Sequence, residues 1–377
     1  MNFFTIGVFM SYRTTFKNWS ETGLADREFH YYKELSKKGY NIILFTYGGK
    51  NDEKIFKKYK KFQDINFTIM PMCKKTFFPS TRIGTLFTVI LFILLNRAIL
   101  AKLDFVKTKQ MSGAWLALLV SQFFKAKFIF RFGFNLLEFD KLKKTFLLRK
   151  LWNKFLINIY FKKCYRIIGT TLIKNFKYNS KFVLQENWID VNSFSTGKDI
   201  RYKQLKNNRK YLTIGRLEKQ KNHLLAIKVL GKLKKNLSII GEGSQFSFLN
   251  IFVKKNKFDI KFLGQLKYPE VIKNCKSHTF YISSSKFEGN PKSIIEAMAA
   301  GMICILPNVE GVSNLVTNKV NGYVYDLNEQ SLENLIIKIN KSPIKTLNKI
   351  SQKASTLARK RFNIQSALRK EQDIYAK

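Results

Sequence analysis

The chain has 377 residues, of which 45% are hydrophobic and 15% aromatic, and it contains only six Pro and nineteen Gly. This composition excludes collagen-like, low-complexity and largely disordered proteins, and the length predicts two domains. Lys and Arg exceed Asp and Glu by 43, spread evenly as +22 over residues 1–190 and +21 over residues 191–377. Two interpretations of this charge stay open: a compositional drift towards Lys, or a surface that binds polyanions or anionic membranes.

The predicted elements of the first half alternate between strands and helices. Strands are predicted at 3–9, 40–48, 65–71, 104–109, 127–133, 165–171 and 181–187, with helices near 25–38 and 114–125. Strands that alternate with helices indicate a mostly parallel sheet covered on both faces. The first segment lacks the basic start of a signal peptide, so it is predicted as a strand.

Two further helical segments of this half are unusually apolar or basic. The run at 83–95 is shorter than the roughly 20 residues that a membrane-spanning helix needs, which favours a buried or interfacial helix. The stretch at 141–163 mixes Lys and Arg with aromatic residues, as helices on membrane surfaces do. The alternative for 141–163 is a helix that packs on the sheet and keeps its Lys in water.

A polar segment without periodicity separates two series of elements. We expect an N-terminal domain over 1–190, a linker over 191–208 and a C-terminal domain over 209–345, both domains being Rossmann-like, followed by helices over 346–377. The strands of the second series are predicted at 211–216, 237–243, 260–265, 279–285, 303–307 and 322–326.

The densest chemical motif is SKFEGNPKSIIEAMAAG, residues 285–301, which follows a predicted strand and opens a helix. Asn290 is predicted as the N-cap and Pro291 as the first helical residue. The N–H groups of Lys292, Ser293 and Ile294 would then form an anion site at the helix N-terminus.

Two carboxylates accompany this predicted anion site. Glu288 precedes the helix, and Glu296 lies inside it on the face of Lys292 and Ser293. Carboxylates accept hydrogen bonds from hydroxyls, so the layout suits a ligand with phosphate in the middle and sugars at both ends. The alternative is an ordinary capped helix with two solvated glutamates.

Two loops after neighbouring strands strengthen the first interpretation. In GRLEKQKNH, residues 215–223, Arg216 and Lys221 can reach a diphosphate bound at the strand ends. In LSIIGEG, residues 237–243, Gly241 and Gly243 would let the backbone approach a base or ribose closely. The alternative for each glycine is an ordinary turn.

In order and spacing, IGRLEKQKNH, IIGEG, FLG and FEGNPKSIIEAMAAG resemble the nucleotide-sugar domain of family-4 glycosyltransferases, the group 1 glycosyl transferases, over residues 210–326. The resemblance implies the α/β fold called GT-B, with two Rossmann-like domains that face each other across a cleft. It implies that 1–190 is the acceptor-binding domain and 209–345 the nucleotide-sugar-binding domain, and that the C-terminal helices over 346–377 cross back to the first domain. The E-x7-E signature of that family is met by Glu288 and Glu296.

The resemblance also implies roles for individual residues. Arg216 and Lys221 would hold the donor diphosphate, Glu296 the ribose hydroxyls, and Glu288 with the backbone after it the donor sugar. The implied catalytic residues are Arg216, Lys221 and Glu288, and the implied donor-binding set is Gly215, Arg216, Lys221, Gly241, Gly243, Glu288, Gly289, Asn290, Lys292, Ser293, Ile294 and Glu296.

The first half resembles the acceptor domain of the same family more weakly, over 22–48 and 127–139. The implied acceptor-side residues are Gly23, Arg131, Asn135 and Glu138. Many relatives carry a histidine in the second stretch, and this chain has none there. His30, His223 and His278 are interpreted as structural residues.

The resulting hypothesis is a retaining glycosyltransferase that moves a sugar from a nucleoside diphosphate sugar to an acceptor hydroxyl, as in surface polysaccharide assembly. No metal and no cofactor beyond the nucleotide sugar as co-substrate are expected, since Arg, Lys and a helix N-terminus can neutralise the leaving group. The expected partners are a glycan or lipid-linked acceptor and an anionic membrane surface, with no specific nucleic acid.

Two alternatives to the enzyme remain: a polyanion-binding protein, and a non-catalytic partner with a transferase fold. The expected location is cytoplasmic, including peripheral attachment to the inner face of the cytoplasmic membrane. Four Cys without a C-x-x-C or zinc-like spacing agree with a reducing compartment.

Overall fold

The computed structural model describes residues 4–59, 65–74, 81–133, 147–172, 177–196, 201, 204–206 and 209–376. The chain divides into two compact units, Met1–Glu186 with Leu368–Lys377, and Asn187–Ala367. The first boundary therefore lies a few residues before the predicted one. Residues 346–367, expected with the C-terminal crossing helices, belong to the second unit.

The first unit is built on seven parallel strands in the order β3-β2-β1-β4-β5-β6-β7. The strands are β1 Thr5–Phe9, β2 Asn41–Thr46, β3 Phe67–Pro71, β4 Phe105–Thr108, β5 Lys127–Phe132, β6 Arg166–Gly169 and β7 Phe182–Leu184. Its helices are α1 Phe16–Glu21, α2 Leu24–Lys37, α3 Lys50–Lys58, α4 Arg82–Leu95, α5 Arg97–Leu100, α6 Ala114–Phe124 and α7 Leu147–Lys163.

One face of this sheet is covered by α4, α6 and α7. Val89 and Ile93 of α4, Leu116 and Val120 of α6, and Ile157 of α7 share one core with strand residues of the sheet. This layer buries the even-numbered positions of strand β5, such as Phe128 and Phe130, as the two-residue period of a strand requires.

The opposite face holds a buried charged group. Lys107 of β4 forms an ion pair with Glu371, and the hydroxyl of Tyr375 donates to the same carboxylate. Gln185 Nε2 donates to the other carboxylate oxygen at 3.4 Å. Lys107 and Glu371 are both buried, so each supplies the counter-charge that the other needs. Residues 368–376 thus pack in the first unit.

The second unit contains six parallel strands in the order β10-β9-β8-β11-β12-β13. They are β8 Tyr211–Ile214, β9 Leu237–Ile240, β10 Ile260–Gly264, β11 Phe280–Ile282, β12 Ile303–Pro307 and β13 Tyr323–Tyr325. The helices are α8 His223–Lys232, α9 Phe246–Lys255, α10 Tyr268–Ser277, α11 Lys292–Ala299, α12 Glu329–Lys341, α13 Ile344–Arg361 and α14 Ile364–Ala376, whose residues from Leu368 on belong to the first unit.

The segment 191–208, expected as a linker, is anchored in the second unit wherever it is described. Phe194, Arg201 and Leu205 are buried. The guanidinium of Arg201 donates to the carbonyls of His278, Cys275 and Ala300. The described part of this segment is therefore held to the second unit by Arg201 and is not a free spacer.

Every predicted strand is present, and both sheets have the doubly wound order of Rossmann-like folds. The sequence analysis did not predict α1 and α3. A short 3₁₀ turn covers Ser313–Leu315. The predicted helix at 141–163 is described from Leu147, and residues 141–146 lie outside the described part. No described helix combines the length and the apolarity needed to span a bilayer.

Candidate functional site

The candidate site lies in the second unit, where the order of the strands reverses. The chain runs outward from β8 to β10 and then returns to add β11 on the other side of β8. Ligands of open parallel sheets bind at the carboxyl ends of the strands at such a point. A pocket lies there, lined by Thr213, Ile214, Lys221, His223, Tyr281, Ser283, Ser284, Ser285, Glu288, Pro291, Ser293 and Ile294.

An ion pair stands at the centre of the polar lining. Lys221, from the loop after β8, pairs with Glu288, from the loop after β11. The Ser285 hydroxyl donates to the same Glu288 oxygen at 3.0 Å, and the Ser284 hydroxyl donates to the carbonyls of Lys221 and Asn222. The two loops are therefore joined by side-chain bonds as well as by the pairing of their strands.

The glycines of this region permit close backbone packing. A Cβ on Gly241 would lie 2.2 Å from the carbonyl oxygen of Gly215, and one on Gly243 would lie 2.6 Å from that of Leu217. Gly241 also has a φ of +134°, which strongly favours glycine. Backbone packing thus requires glycine at both positions, and this requirement is separate from the expected close approach of a base or ribose. Gly215 itself lies under the aliphatic stem of Lys221.

The loop that carries Glu288 is fixed from a second direction. Gly311 has a φ of +75°, and a Cβ there would lie 2.0 Å from the Glu288 carbonyl oxygen and 2.4 Å from that of Gly289. Gln220 also donates to the carbonyl of Phe287 at 3.0 Å. The backbone around Glu288 is thereby held between two neighbouring loops.

The helix that follows begins one residue later than predicted. Pro291 is the N-cap of α11, and Asn290 does not cap it, since its side-chain oxygen accepts from the Asn187 N–H at 3.0 Å. The Ile294 N–H donates to the Pro291 carbonyl at 3.2 Å, so this group is not free for an anion as expected. The N-terminus of α11 still lines the pocket through Pro291, Ser293 and Ile294.

Tyrosine and tryptophan side chains support this helix start. The Tyr281 hydroxyl donates to Ser293 Oγ at 3.0 Å, and burial raises the pKa of Tyr281, so it stays a neutral donor. The Lys292 ammonium lies 4.4 Å from the ring centroid of Trp188, a cation–π distance. Lys292 therefore points to an aromatic surface of its own unit.

Of the remaining predicted donor-side residues, two differ in exposure. Arg216 is exposed, and within the described part of the chain its guanidinium has no ion-pair partner. Glu296 is buried inside α11 and does not line the pocket. The pocket thus brings together Lys221, Glu288, Ser293 and Ile294, while the other predicted donor-side residues do not belong to its lining.

Sequence reasoning missed the polar residues that the strands themselves supply. Ser283, Ser284 and Ser285 follow β11 directly, and the run of three Ser at a strand end was the available signal. His223 was interpreted as structural, and it is buried in the lining, where its Nε2 lies 3.2 Å from the Arg216 carbonyl oxygen. Burial lowers the pKa of His223 to about 4, so the ring is neutral at pH 7.

The predicted acceptor-side residues belong to the first unit. Gly23 is buried and forms the N-cap of α2, with a φ of +70° that favours glycine. Arg131 lies in β5, where its N–H donates to the Thr108 hydroxyl at 2.8 Å. Asn135 and Glu138 lie outside the described residues. In the ranges that the structure covers, no three His, Cys, Asp or Glu side chains converge as metal ligands would.

Comparison with known proteins gives a family for the second unit. Residues 197–357 match the family model of the glycosyl transferases group 1. The chain is 27% identical over 204 residues, half of its length, to the Escherichia coli UDP-Gal:alpha-D-GlcNAc-diphosphoundecaprenol alpha-1,3-galactosyltransferase. It is 31% identical over 163 residues, 40% of its length, to a Campylobacter jejuni N-acetylgalactosaminyltransferase that acts on a diphospho-undecaprenol substrate. The matches span 52% and 43% of these two relatives.

Solved structures extend the likeness to the whole fold. A crystal structure of Anabaena HepE in complex with UDP aligns with a TM-score of 0.74 at 14% identity, over 99% of both chains. Sucrose-phosphate synthase from Thermosynechococcus elongatus aligns with a TM-score of 0.78 at 14% identity, over 99% of this chain and 98% of the other. The chain therefore has the GT-B fold, and its residues 197–357 are similar to the glycosyl transferases group 1.

Proposed function

We propose that this protein transfers a sugar from a nucleoside diphosphate sugar to an acceptor hydroxyl, with retention of the anomeric configuration and without a metal ion. The observation that carries the proposal is the Lys221–Glu288 pair in a pocket at the carboxyl ends of β8 and β11. A cation for phosphate and a carboxylate for hydroxyls lie side by side there, next to the N-terminus of a helix.

In this proposal the diphosphate leaves towards Lys221, the exposed Arg216 and the start of α11. The bond between the anomeric carbon and the β-phosphate oxygen breaks, and the acceptor oxygen bonds to that carbon on the same face. The acceptor proton passes to the leaving phosphate oxygen, so no protein base or nucleophile is needed. The positive groups stabilise the charge that develops on the diphosphate.

We propose a lipid-linked glycan as the acceptor. The support is the pair of relatives from E. coli and C. jejuni, whose names state a diphosphoundecaprenol or diphospho-undecaprenol substrate. The donor site can be tested without knowing the acceptor.

The experiment is calorimetric titration of UDP, GDP, ADP and CMP, with EDTA, at a salt concentration that screens unspecific attraction. Wild type is compared with Glu296→Gln, which keeps the buried volume of the side chain and removes the carboxylate proposed, from the family resemblance, to hold the ribose hydroxyls. Glu310→Gln, at an exposed position, is the control with the same charge change. Saturable binding of one nucleotide, weakened in Glu296→Gln alone, supports the proposal and names the base.

The net charge of +43 favours a polyanion-binding protein as a second candidate. That candidate predicts binding to any nucleic acid with a steep salt dependence and no effect of Glu296→Gln. If all four nucleotides bind weakly and equally, and the variant binds as wild type does, the donor-site proposal is wrong and this second candidate is favoured.

A further inference from the structure

The first unit has an apolar outer surface on α4, α6 and α7, the helices that share one face of its sheet. The side chains of this layer that point away from the sheet core include many large and exposed apolar groups: Ile83, Leu86, Phe87, Ile90, Leu94, Leu95, Phe123, Leu147, Leu148, Leu151, Trp152 and Phe155. Exposed apolar groups that cluster in this way mark an interaction surface. We call this surface the outer apolar face.

Helix α4 shows that the pattern is more than scattered exposure. Its inward stripe includes Val89 and Ile93, which are buried in the core. The opposite stripe of Ile83, Phe87, Ile90 and Leu94, spaced by three or four residues, is apolar as well and exposed, with Ile83 at 69% and Phe87 at 50%. A helix that is apolar all round is suited to an apolar environment on both sides.

Helix α7 combines an exposed apolar stripe with a basic end. Leu148, Leu151, Trp152 and Phe155 occupy one stripe of its first turns, and Trp152 is 60% exposed. Its last turn ends in Lys162 and Lys163, both exposed. Apolar side chains followed by Lys suit the boundary between acyl chains and lipid headgroups.

Charge separates the two faces of this unit. The described ranges of α4, α5, α6 and α7 contain no Asp or Glu. Exposed basic residues on or beside them are Arg82, Arg97, Lys102, Lys125, Lys154, Lys162 and Lys163. Helices α1, α2 and α3 mix Lys and Arg with the acidic residues Glu21, Asp26, Glu28, Glu34, Asp52 and Glu53. The helices of the apolar surface therefore carry charge of one sign only.

We infer that the outer apolar face docks on a lipid leaflet that contains anionic lipids. A helix of 14 residues such as α4 is about 21 Å long, which is less than the bilayer core of about 30 Å. These helices lie in the plane of the leaflet with their apolar stripes among the acyl chains and their Lys and Arg at the headgroups. Charge complementarity selects anionic lipid over a neutral surface.

The position of this face suits the proposed acceptor, and in this respect the inference rests on the proposed function. The Tyr12 hydroxyl, just after β1, donates to the carbonyl of Arg82 at the start of α4. The first turns of α4 therefore lie at the carboxyl edge of the sheet, where open sheets bind ligands. An acceptor anchored in the leaflet needs to emerge only a short way to reach this edge.

The test is co-sedimentation with vesicles of phosphatidylcholine alone or with one third phosphatidylglycerol, without any nucleotide. The variant Leu151→Gln/Trp152→Gln is compared with Phe248→Gln/Ile251→Gln, a matched pair of exposed apolar residues on α9 of the second unit. The variant Lys154→Gln/Lys162→Gln/Lys163→Gln is compared with Lys54→Gln/Lys57→Gln/Lys58→Gln, which removes the same charge from α3. Thermal unfolding checks that all four variants fold.

We expect binding to the anionic vesicles only. The partition coefficient should fall roughly tenfold or more for the α7 apolar pair and remain unchanged for the α9 pair. At about fivefold per Lys near the surface, the α7 Lys triple should lose roughly a hundredfold, and the α3 triple much less.

Two results would overturn the inference. Equal losses for both Lys triples, with none for the apolar pair, would show attraction by the whole charge of the protein. A dimer in light scattering that Leu151→Gln/Trp152→Gln dissociates, without vesicle binding by wild type, would show that a second copy covers this face. Because no nucleotide is present, neither result bears on the donor site, and a failed nucleotide titration leaves the vesicle result standing.

Discussion

Replacing Glu288 by Gln should separate the binding of the nucleoside diphosphate from the binding of the nucleotide sugar. In the ligand-free site Glu288 neutralises Lys221, the cation proposed to hold the diphosphate. A diphosphate must therefore compete with Glu288 for Lys221. Without that carboxylate, the free diphosphate should bind more tightly, whereas the sugar should lose a hydrogen-bond acceptor.

The magnitude follows from the environment of the pair. The Lys221 and Glu288 side chains are 18% and 13% exposed, so an effective dielectric constant of about 20 is appropriate. At about 4 Å this gives roughly 4 kcal/mol of gross attraction, of which desolvation cancels the larger part. A net competition of about 1.4 kcal/mol corresponds to tenfold in the dissociation constant.

The assay is calorimetry of the preferred nucleoside diphosphate and of its nucleotide sugar, on wild type and Glu288→Gln. We expect the diphosphate to bind about tenfold more tightly to the variant and the nucleotide sugar to gain less or to bind more weakly. Glu310→Gln controls for the change in net charge. Unchanged or weaker diphosphate binding to Glu288→Gln would refute the competition and the role proposed for Lys221.

Three further predictions concern the surroundings of the site. Gly311→Ala should weaken nucleotide-sugar binding and lower the melting temperature, since its Cβ would lie 2.0 Å from the Glu288 carbonyl oxygen at a φ of +75°. Gly133→Ala, where no atom of the described residues would lie within 4 Å of the added Cβ, should be neutral in both measurements. Arg201→Met should cost about 2–4 kcal/mol in urea unfolding, because three carbonyl groups lose their buried donor, and a loss below 0.5 kcal/mol, on the order of a surface substitution, would contradict this role. The pKa of His223 is about 4 in the folded protein, so the unfolded chain binds more protons below pH 6.5. The free energy of unfolding should therefore decrease as the pH is lowered from 6.5 to 4, by about 3 kcal/mol in full. His223→Gln should flatten this dependence on pH, and His30→Gln, at an exposed position, should not.

The strands could be predicted from sequence because they are buried on both faces and read as short, strongly apolar runs. Strand β12, Ile303–Pro307, is an example in which every residue is buried. Helices α1 and α3 were not predicted from the sequence because a contact between distant residues stabilises them. Asp52 of α3 accepts hydrogen bonds from the N–H groups of Phe16 and Lys17 at the start of α1. The local sequence pattern of neither segment indicates these hydrogen bonds.

The sequence analysis placed Lys221 and Glu288 on two loops at neighbouring strand ends, and the structure joins these two residues in an ion pair. The details of the helix start were wrong, because the preference of Asn for N-caps was overridden by the hydrogen bonds between Asn290 and Asn187. The linker prediction failed for a similar reason. A polar stretch looks mobile in sequence, but Arg201 uses its polarity to bind buried carbonyl groups.

The contribution of residues 368–376 to the first unit has a consequence for synthesis on the ribosome. The strands of the first unit are complete after residue 184, yet Glu371 emerges only after the whole second unit has been translated. Until then Lys107 lacks its ion-pair partner Glu371 in the core, which costs several kcal/mol. The first unit should therefore stay open to proteases and chaperones during elongation and close only when α14 arrives. Folding of the first unit in this protein thus reaches completion only after the second unit has been translated.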